Sequence, residues 1–168
     1  MIYLRKLTID DFDYLNSVEN DKSFWKYSFS NQSYSREELI QFIYDSQLPI
    51  DQTNQIRFVI CKLETNENLG FVDLFEIDLV KLKAGVSIII PKPENRRKGY
   101  GRLSLRKIVE FGIRELNIKN LYCNISDDNL LSINCFKSVG FEEISKNSNE
   151  YVSSSKNNDK SVIQLQCT

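Results

Sequence analysis

The 168-residue chain contains no histidine. That absence excludes Ser-His-Asp and Cys-His catalysis and every metal site built on imidazole. A general base must then be a carboxylate, a tyrosine, a lysine, a cysteine, a backbone group or a water. The four cysteines, Cys61, Cys123, Cys135 and Cys167, form no C-x-x-C pair, which removes support for zinc ribbons and dithiol redox motifs. Three of them lie inside apolar or mixed runs, so they read as reduced and mostly buried thiols. No apolar run reaches the ~18–20 residues that span a membrane. The start, Met1-Ile2-Tyr3-Leu4-Arg5, lacks the features of a signal peptide. The expectation is a cytoplasmic protein without a membrane partner.

Hydrophobic residues make up 41% of the chain and charged residues 27%, ordinary values for one folded domain. The net charge of −1 hides an asymmetry. Between Lys92 and Lys107 stand seven basic residues (Lys92, Arg96, Arg97, Lys98, Arg102, Arg106, Lys107) against the single acid Glu94. One short segment is thus strongly positive while the rest is acidic. That distribution suggests a local anion site more than a nucleic-acid surface, and no aromatic residues are interleaved for base stacking.

Periodicity predicts strands at 2–7, 56–63, 69–77, 84–90, 119–126, from Phe141 onward, and at 162–165. Helices are expected after Thr8-x-x-Asp11, over 36–47 behind the capping box Ser35-Arg36-Glu37-Glu38, along Leu105-Ile108-Val109-Gly112-Ile113-Leu116, and from Asp127-Asp128-Asn129 to Val139. Residues 145–160, rich in Ser, Asn and Lys, read as a mobile loop. The order β-α-α-β-β-β-α-β-α-β-β implies a single α/β (α+β) domain over 1–168 with a mixed sheet.

The strongest local signal is a strand, then Pro91-Lys92-Pro93-Glu94-Asn95-Arg96-Arg97-Lys98-Gly99-Tyr100-Gly101, then an amphipathic helix. Glycines at 99 and 101 permit a tight turn and close approach of a ligand. The helix start offers unpaired N–H groups and the positive end of its dipole. Together they make a phosphate or pyrophosphate site, with Arg96, Arg97, Lys98 and Arg102 as countercharge. Walker A is absent, and the dinucleotide fingerprint fails because Ser104 stands where its third glycine should be. Taken alone, the segment also fits a glycine-rich β-α turn with solvated charges.

Arg96-x-x-Gly99-x-Gly101 between a strand and a long helix resembles the acetyl-CoA motif of GNAT acyltransferases. The block Asp128-Asn129-Leu130-Leu131-Ser132-Ile133-Asn134-Cys135-Phe136-Lys137-Ser138-Val139-Gly140-Phe141 resembles that family's N-x-x-S/A…Y-x-x-x-G-F segment. The resemblance covers about residues 1–145 and looks closest to the branch of ribosomal-protein and spermidine N-acetyltransferases. It implies a mostly antiparallel sheet of about seven strands with about four helices and splayed central strands. It further implies acetyl-CoA as co-substrate, no metal, and direct attack by a small amine or a protein N-terminus. A homodimer is compatible with it. A non-catalytic acyl-CoA-binding module is the alternative.

By match, backbone N–H groups of Arg97, Lys98, Gly99, Tyr100, Gly101 and Arg102 would hold the pyrophosphate. The edge at Ile88, Ile89 and Ile90 would take the pantetheine arm, with an N–H near Ile89 or Ile90 facing the oxyanion. Asn129 and Ser132 would face the cofactor. Two departures concern proton transfer. The tyrosine that often protonates the thiolate falls at Phe136, leaving Ser132, Cys135 or water. A glutamate common on the strand before the loop falls at Gly85, leaving Asp73, Glu76 or Asp78 as base. Strand alternation places Asp73 and Glu76 on opposite faces unless a bulge intervenes. Phe24, Trp25, Tyr27, Phe29 and Tyr34 are expected to wall the acceptor cleft, with Glu19 and Asp21 nearby, unless they pack in the core.

Overall fold

The structure is a computed structural model that describes residues 1–25, 32–147 and 162–168. Its elements are β1 (Ile2–Lys6), α1 (Phe12–Glu19), α2 (Arg36–Asp45), α3 (Ile50–Thr53), β2 (Ile56–Lys62), β3 (Asn68–Asp78), β4 (Lys83–Ile89), α4 (Tyr100–Leu116), β5 (Asn120–Ser126), α5 (Leu130–Lys137), β6 (Glu142–Asn147) and β7 (Val162–Cys167). The seven strands form one sheet in the order β1-β2-β3-β4-β5-β7-β6. Every pairing is antiparallel except β4 with β5. That single parallel junction follows from chain direction, since α4 carries the chain back across the sheet before β5 begins.

Alternation sorts the side chains to two faces. Val72, Leu74, Val86, Leu121 and Cys123 pack with Leu105 and Ile108 of α4 and with Ile133 and Phe136 of α5. Val59, Cys61 and Phe71 point the other way, onto Leu15 and Val18 of α1 and Leu39 and Ile43 of α2. The apolar stripe of α4, at steps of three and four, is the one read from the sequence.

The sequence reading is right in element order and off at some boundaries. Five helices, not about four, lie among the described residues. The additional one is the single turn α3, which starts behind Pro49 and ends at Asn54 in the left-handed region; four residues carry too little periodicity to show. Helix α2 stops at Asp45, with Ser46 as its cap, short of the expected residue 47. Residues 145–147 belong to β6 and pair with β7, because tertiary pairing overrides their polar composition. The remainder of the expected 145–160 loop lies outside the described residues. Both capping boxes, Thr8 with Asp11 and Ser35 with Glu38, are formed.

Asp11 also ties the first helix to the sheet. Its carboxylate accepts two hydrogen bonds from the Arg5 guanidinium, at 2.8 and 2.7 Å, and one from the Thr8 N–H at 2.9 Å. Burial works to raise its pKa, but the Arg5 and Thr8 hydrogen bonds prevail and hold it below the usual carboxylate range. Its contribution to stability is therefore complete above an unfolded value of about 3.9 and is lost as pH falls through the lower folded value. Asp11→Asn should cost about 1–2 kcal/mol at neutral pH, a figure reduced because Arg5 is partly exposed. It should also flatten the acid limb of stability. Urea unfolding of both proteins across that range checks this.

Candidate active site

Strands β4 and β5 pair at only three positions, Lys83↔Asn120, Ala84↔Leu121 and Gly85↔Tyr122. Beyond them β4 continues paired with β3 through Ile89, while β5 continues paired with β7 through Ser126. The two central strands thus part into a wedge whose closed end is at Gly85 and Tyr122. This is the splay expected from the resemblance. Among the described residues the edge of β4 from Val86 to Ile89 has no strand partner on the wedge side, so its backbone groups there are open to a ligand with amide groups. Ile88, Ile89 and Ile90 are half-buried along it.

The open end of the wedge meets the basic loop. Arg97 and Gly99 have left-handed φ values of 59° and 84°, and Lys98 between them does not. Such alternation curls successive N–H groups toward one side and makes an anion-binding concavity. The first helical bond of α4 runs from the Leu103 N–H to the Gly99 carbonyl at 3.0 Å. The N–H groups of Tyr100, Gly101 and Arg102 therefore have no partner within the helix. The side chains of Arg97, Lys98 and Arg102 are exposed around them. A Cβ on Gly101 would stand 3.1 Å from the Cys135 sulfur, so a side chain there would push that sulfur by a few tenths of an ångström.

Arg96, expected as a phosphate countercharge, is engaged with the backbone at the end of β4. Its guanidinium turns back and donates to the carbonyls of Ile90 and Pro91 at 2.9 and 2.8 Å. It fixes the end of β4 against the loop. On the other wall, the Asn129 side chain accepts from the Ser132 N–H at 3.2 Å, capping α5. Ser132 is half-buried. Phe136 is buried with its ring edge-on to Phe141. Burial pushes the Cys135 thiol up, with the charge of Arg102 opposing, so the group stays protonated at neutral pH.

The carboxylates are arranged by a bulge that simple alternation would miss. Register shifts between Phe75 and Asp78, and Glu76 takes a left-handed φ of 48°. Leu74 and Ile77 consequently both enter the core under α4. Glu76 swings to the opposite face and accepts a hydrogen bond from the Tyr122 hydroxyl. Asp73 also lies on that face, where Ser87 donates to it at 2.9 Å. Both candidate bases therefore face the same side of the sheet.

Their surroundings differ. Asp73 receives Arg57 in a two-pronged pair, 2.8 Å from both Nε and Nη2, and Arg57 reaches Glu19 at 2.5 Å. The Arg57 guanidinium lies 5.0 and 5.1 Å from the Phe42 and Phe71 rings. Burial alone would lower its pKa, but Asp73 and Glu19 more than compensate and raise it. Arg57 and Asp73 line a cavity of about 160 Å³ with Phe42, Phe75 and Ser87. Beside it, Glu19, Asp21, Phe24, Trp25 and Tyr34 line a second of about 90 Å³ whose floor is Ile89. Phe24, Trp25 and Tyr34 thus stand where a cleft wall was expected; Tyr27 and Phe29 lie outside the described residues. The Arg57 network was not legible in the sequence, because Asp73 and Glu19 lie 16 and 38 residues from Arg57.

A strand-edge wedge leading from a helix N-terminus, with carboxylates on one flank, defines an acyl-CoA-dependent transferase site. Residues 2–142 match the family profile described as an acetyltransferase (GNAT) domain, and the chain belongs to that family of acetyl-CoA-dependent N-acetyltransferases. It is 30% identical over 141 residues to the spermidine N(1)-acetyltransferase of Escherichia coli K12, covering 83% of this chain and 72% of that protein. Against the Vibrio cholerae enzyme of the same name identity is 26% over 140 residues, covering 83% and 78%. The crystal structure of the Vibrio cholerae spermidine N-acetyltransferase in complex with CoA and spermine superposes with a TM-score of 0.85 at 22% identity, over 98% of this chain and 94% of that one.

Arg57→Leu should destabilise the protein by about 3 kcal/mol, since it leaves Asp73 and Glu19 without their cation. Chemical unfolding measures this; an unchanged midpoint would show that the network contributes nothing to stability.

Proposed function

We propose that the chain acetylates a primary amino group of a linear polyamine. The observation that carries this reading is the aromatic cavity over Ile89, with Glu19 and Asp21 in its wall. Glu19, Asp73 and Arg57 together carry one net negative charge, to which Asp21 adds another. Two acids a few residues apart beside aromatic rings suit a flexible chain of ammonium groups. The named relatives act on spermidine, which supports the same substrate class.

Acetyl-CoA enters this reading as co-substrate. The N–H groups of Arg97 through Arg102 hold its pyrophosphate, and Arg97, Lys98 and Arg102 neutralise it. Arg96 keeps the loop and strand end in register. The wedge edge at Ile88–Ile90 takes the pantetheine arm and presents an N–H to the oxyanion. Asn129 and Ser132 form the opposite wall at the start of α5. The neutral amine attacks the thioester carbonyl from the face that carries the two cavities. Glu76 is the favoured base, because Asp73 already accepts three hydrogen bonds and serves to hold Ser87 and Arg57. A cytoplasmic homodimer belongs to the same reading, and light scattering after size exclusion measures the assembly.

The test is thiol release from acetyl-CoA with a panel of spermidine, spermine, putrescine, aminoglycosides and N-terminal peptides. Polyamines should give the highest kcat/KM; a preference for peptides would overturn the acceptor assignment. Trp25→Ala should raise the amine KM roughly tenfold while leaving the acetyl-CoA KM unchanged. Coenzyme A should raise the melting temperature through linkage. Arg97→Ala with Arg102→Ala should weaken coenzyme A binding about tenfold or more, read by calorimetry.

A further inference from the structure

Arg96 touches three parts of the site at once. Its backbone opens the basic loop. The Arg96 N–H donates to the Pro93 carbonyl at 3.0 Å, and the next residue, Arg97, is the first of the two left-handed positions that curl the loop. Its guanidinium donates through Nε to the Ile90 carbonyl and through Nη2 to the Pro91 carbonyl. The guanidinium carbon also lies over the Phe24 ring, 5.9 Å from its centre, within cation–π range. Phe24 is a wall of the cavity whose floor is Ile89, the residue before Ile90. One side chain thus joins the phosphate loop, the end of β4 and the acceptor wall.

The local sequence leaves that strand end in need of an outside holder. The β3–β4 ladder closes at Phe71↔Ile89, and the prolines at 91 and 93 have no N–H to extend it. The next two carbonyls are the ones the guanidinium takes. A planar fork can bridge two acceptors and present its face to a ring, which a lysine ammonium cannot. The other side of the cavity is anchored elsewhere. The Asn20 side chain, at the end of α1, accepts from the Tyr34 N–H at 2.7 Å and donates to the Tyr34 carbonyl at 3.0 Å. The Phe24 side is therefore linked to the phosphate loop, and the Tyr34 side to α1.

We propose that Arg96 is a positioning residue that couples the two substrate sites, so that coenzyme A and a polyamine each bind more tightly in the presence of the other. This rests on the acetyl-transfer reading above. An anion seated on the N–H groups that follow Arg96 fixes the loop backbone at the point where the side chain leaves it. The guanidinium carries that placement to Ile90 on one side and to Phe24 on the other. Floor and wall of the amine cavity are then set before the amine arrives. In reverse, an amine held between Phe24 and Ile89 favours the arrangement that the anion requires. Linkage makes the two effects equal in size. Arg96 takes no proton in the reaction and acts through Ile90 and Phe24.

The experiment is calorimetry of spermidine binding without and with saturating coenzyme A, which lacks the acetyl group and permits no turnover. Its readout is the ratio of the two dissociation constants. Fluorescence of Trp25, the single tryptophan of the chain, reads the same ratio independently. Wild type should bind spermidine about tenfold more tightly with coenzyme A present. Removing a cation beside an amine site changes spermidine affinity by itself, and the ratio cancels that effect. Arg96→Ala and Arg96→Lys should both reduce the ratio to about twofold or less, the lysine separating the fork from the charge. Phe24→Leu should do the same while its coenzyme A affinity without spermidine stays at the wild-type value. Adding Phe24→Leu to Arg96→Ala should reduce the ratio no further. Asn20→Ala should weaken spermidine equally in both conditions and keep the ratio. A wild-type ratio of one, or a full ratio in the Arg96 variants or in Phe24→Leu, would overturn this inference alone. Loss of the ratio in Asn20→Ala would also overturn it, because any disturbance of the cavity would then suffice. If the Arg96 variants fail to fold, the ratio in Phe24→Leu decides. Wild type that binds coenzyme A but no spermidine in either condition would overturn the polyamine reading and this inference with it.

Discussion

The parting of β4 from β5 is the constraint on which the remaining architecture depends. A parallel pair ordinarily extends its ladder as far as both strands run. Here the ladder stops after Gly85↔Tyr122, since β4 stays with β3 and β5 stays with β7. Antiparallel pairing on both outer flanks satisfies the strands well enough that an inner edge can be left open. That edge is costly in a dry core and useful where a ligand amide supplies the missing partner. The loop with Arg97 and Gly99 in the left-handed region sits at the wide mouth, and the Glu76–Tyr122 pair at the narrow end.

Ion pairing decides which acids are available. Arg57 occupies Asp73 and Glu19 together and is wedged against the Phe42 and Phe71 rings. A carboxylate held by a guanidinium fork and a hydroxyl is a fixed wall. Glu76 has a phenol as partner. The two acids, three residues apart in the chain, thereby have different surroundings on one face of the sheet.

Much of the fold was legible. Strand order, the long helix and the two helix caps follow from periodicity and from hydroxyl-to-carboxylate spacing at Thr8–Asp11 and Ser35–Glu38, which are local interactions. The single turn after Pro49 was missed because four residues carry no period. Residues 145–147 were assigned to a loop because their side chains are polar, yet backbone pairing with β7 makes them strand. At the site, Gly99 was read correctly as a turn former, while Gly101 lies in the first turn of α4. The direction of Arg96 was not legible, since nothing in the sequence says that two carbonyls at the end of β4 lie within its reach.

By itself the sequence determined the absence of imidazole chemistry, the basic, glycine-bearing turn at the start of α4, and the absence of a phenol at 136 and of a carboxylate at 85. Each is a statement about which groups exist and how the nearby backbone must turn, and composition and spacing suffice for that. The tertiary structure decided which acids face one another. The bulge at Glu76 reverses a face that alternation assigns, and the Phe75 ring over Gly85 makes room for it. Tyr122 meets that carboxylate from 46 residues away. Contacts of this kind depend on strand register and twist summed over the whole sheet, and no local pattern in the chain encodes that sum.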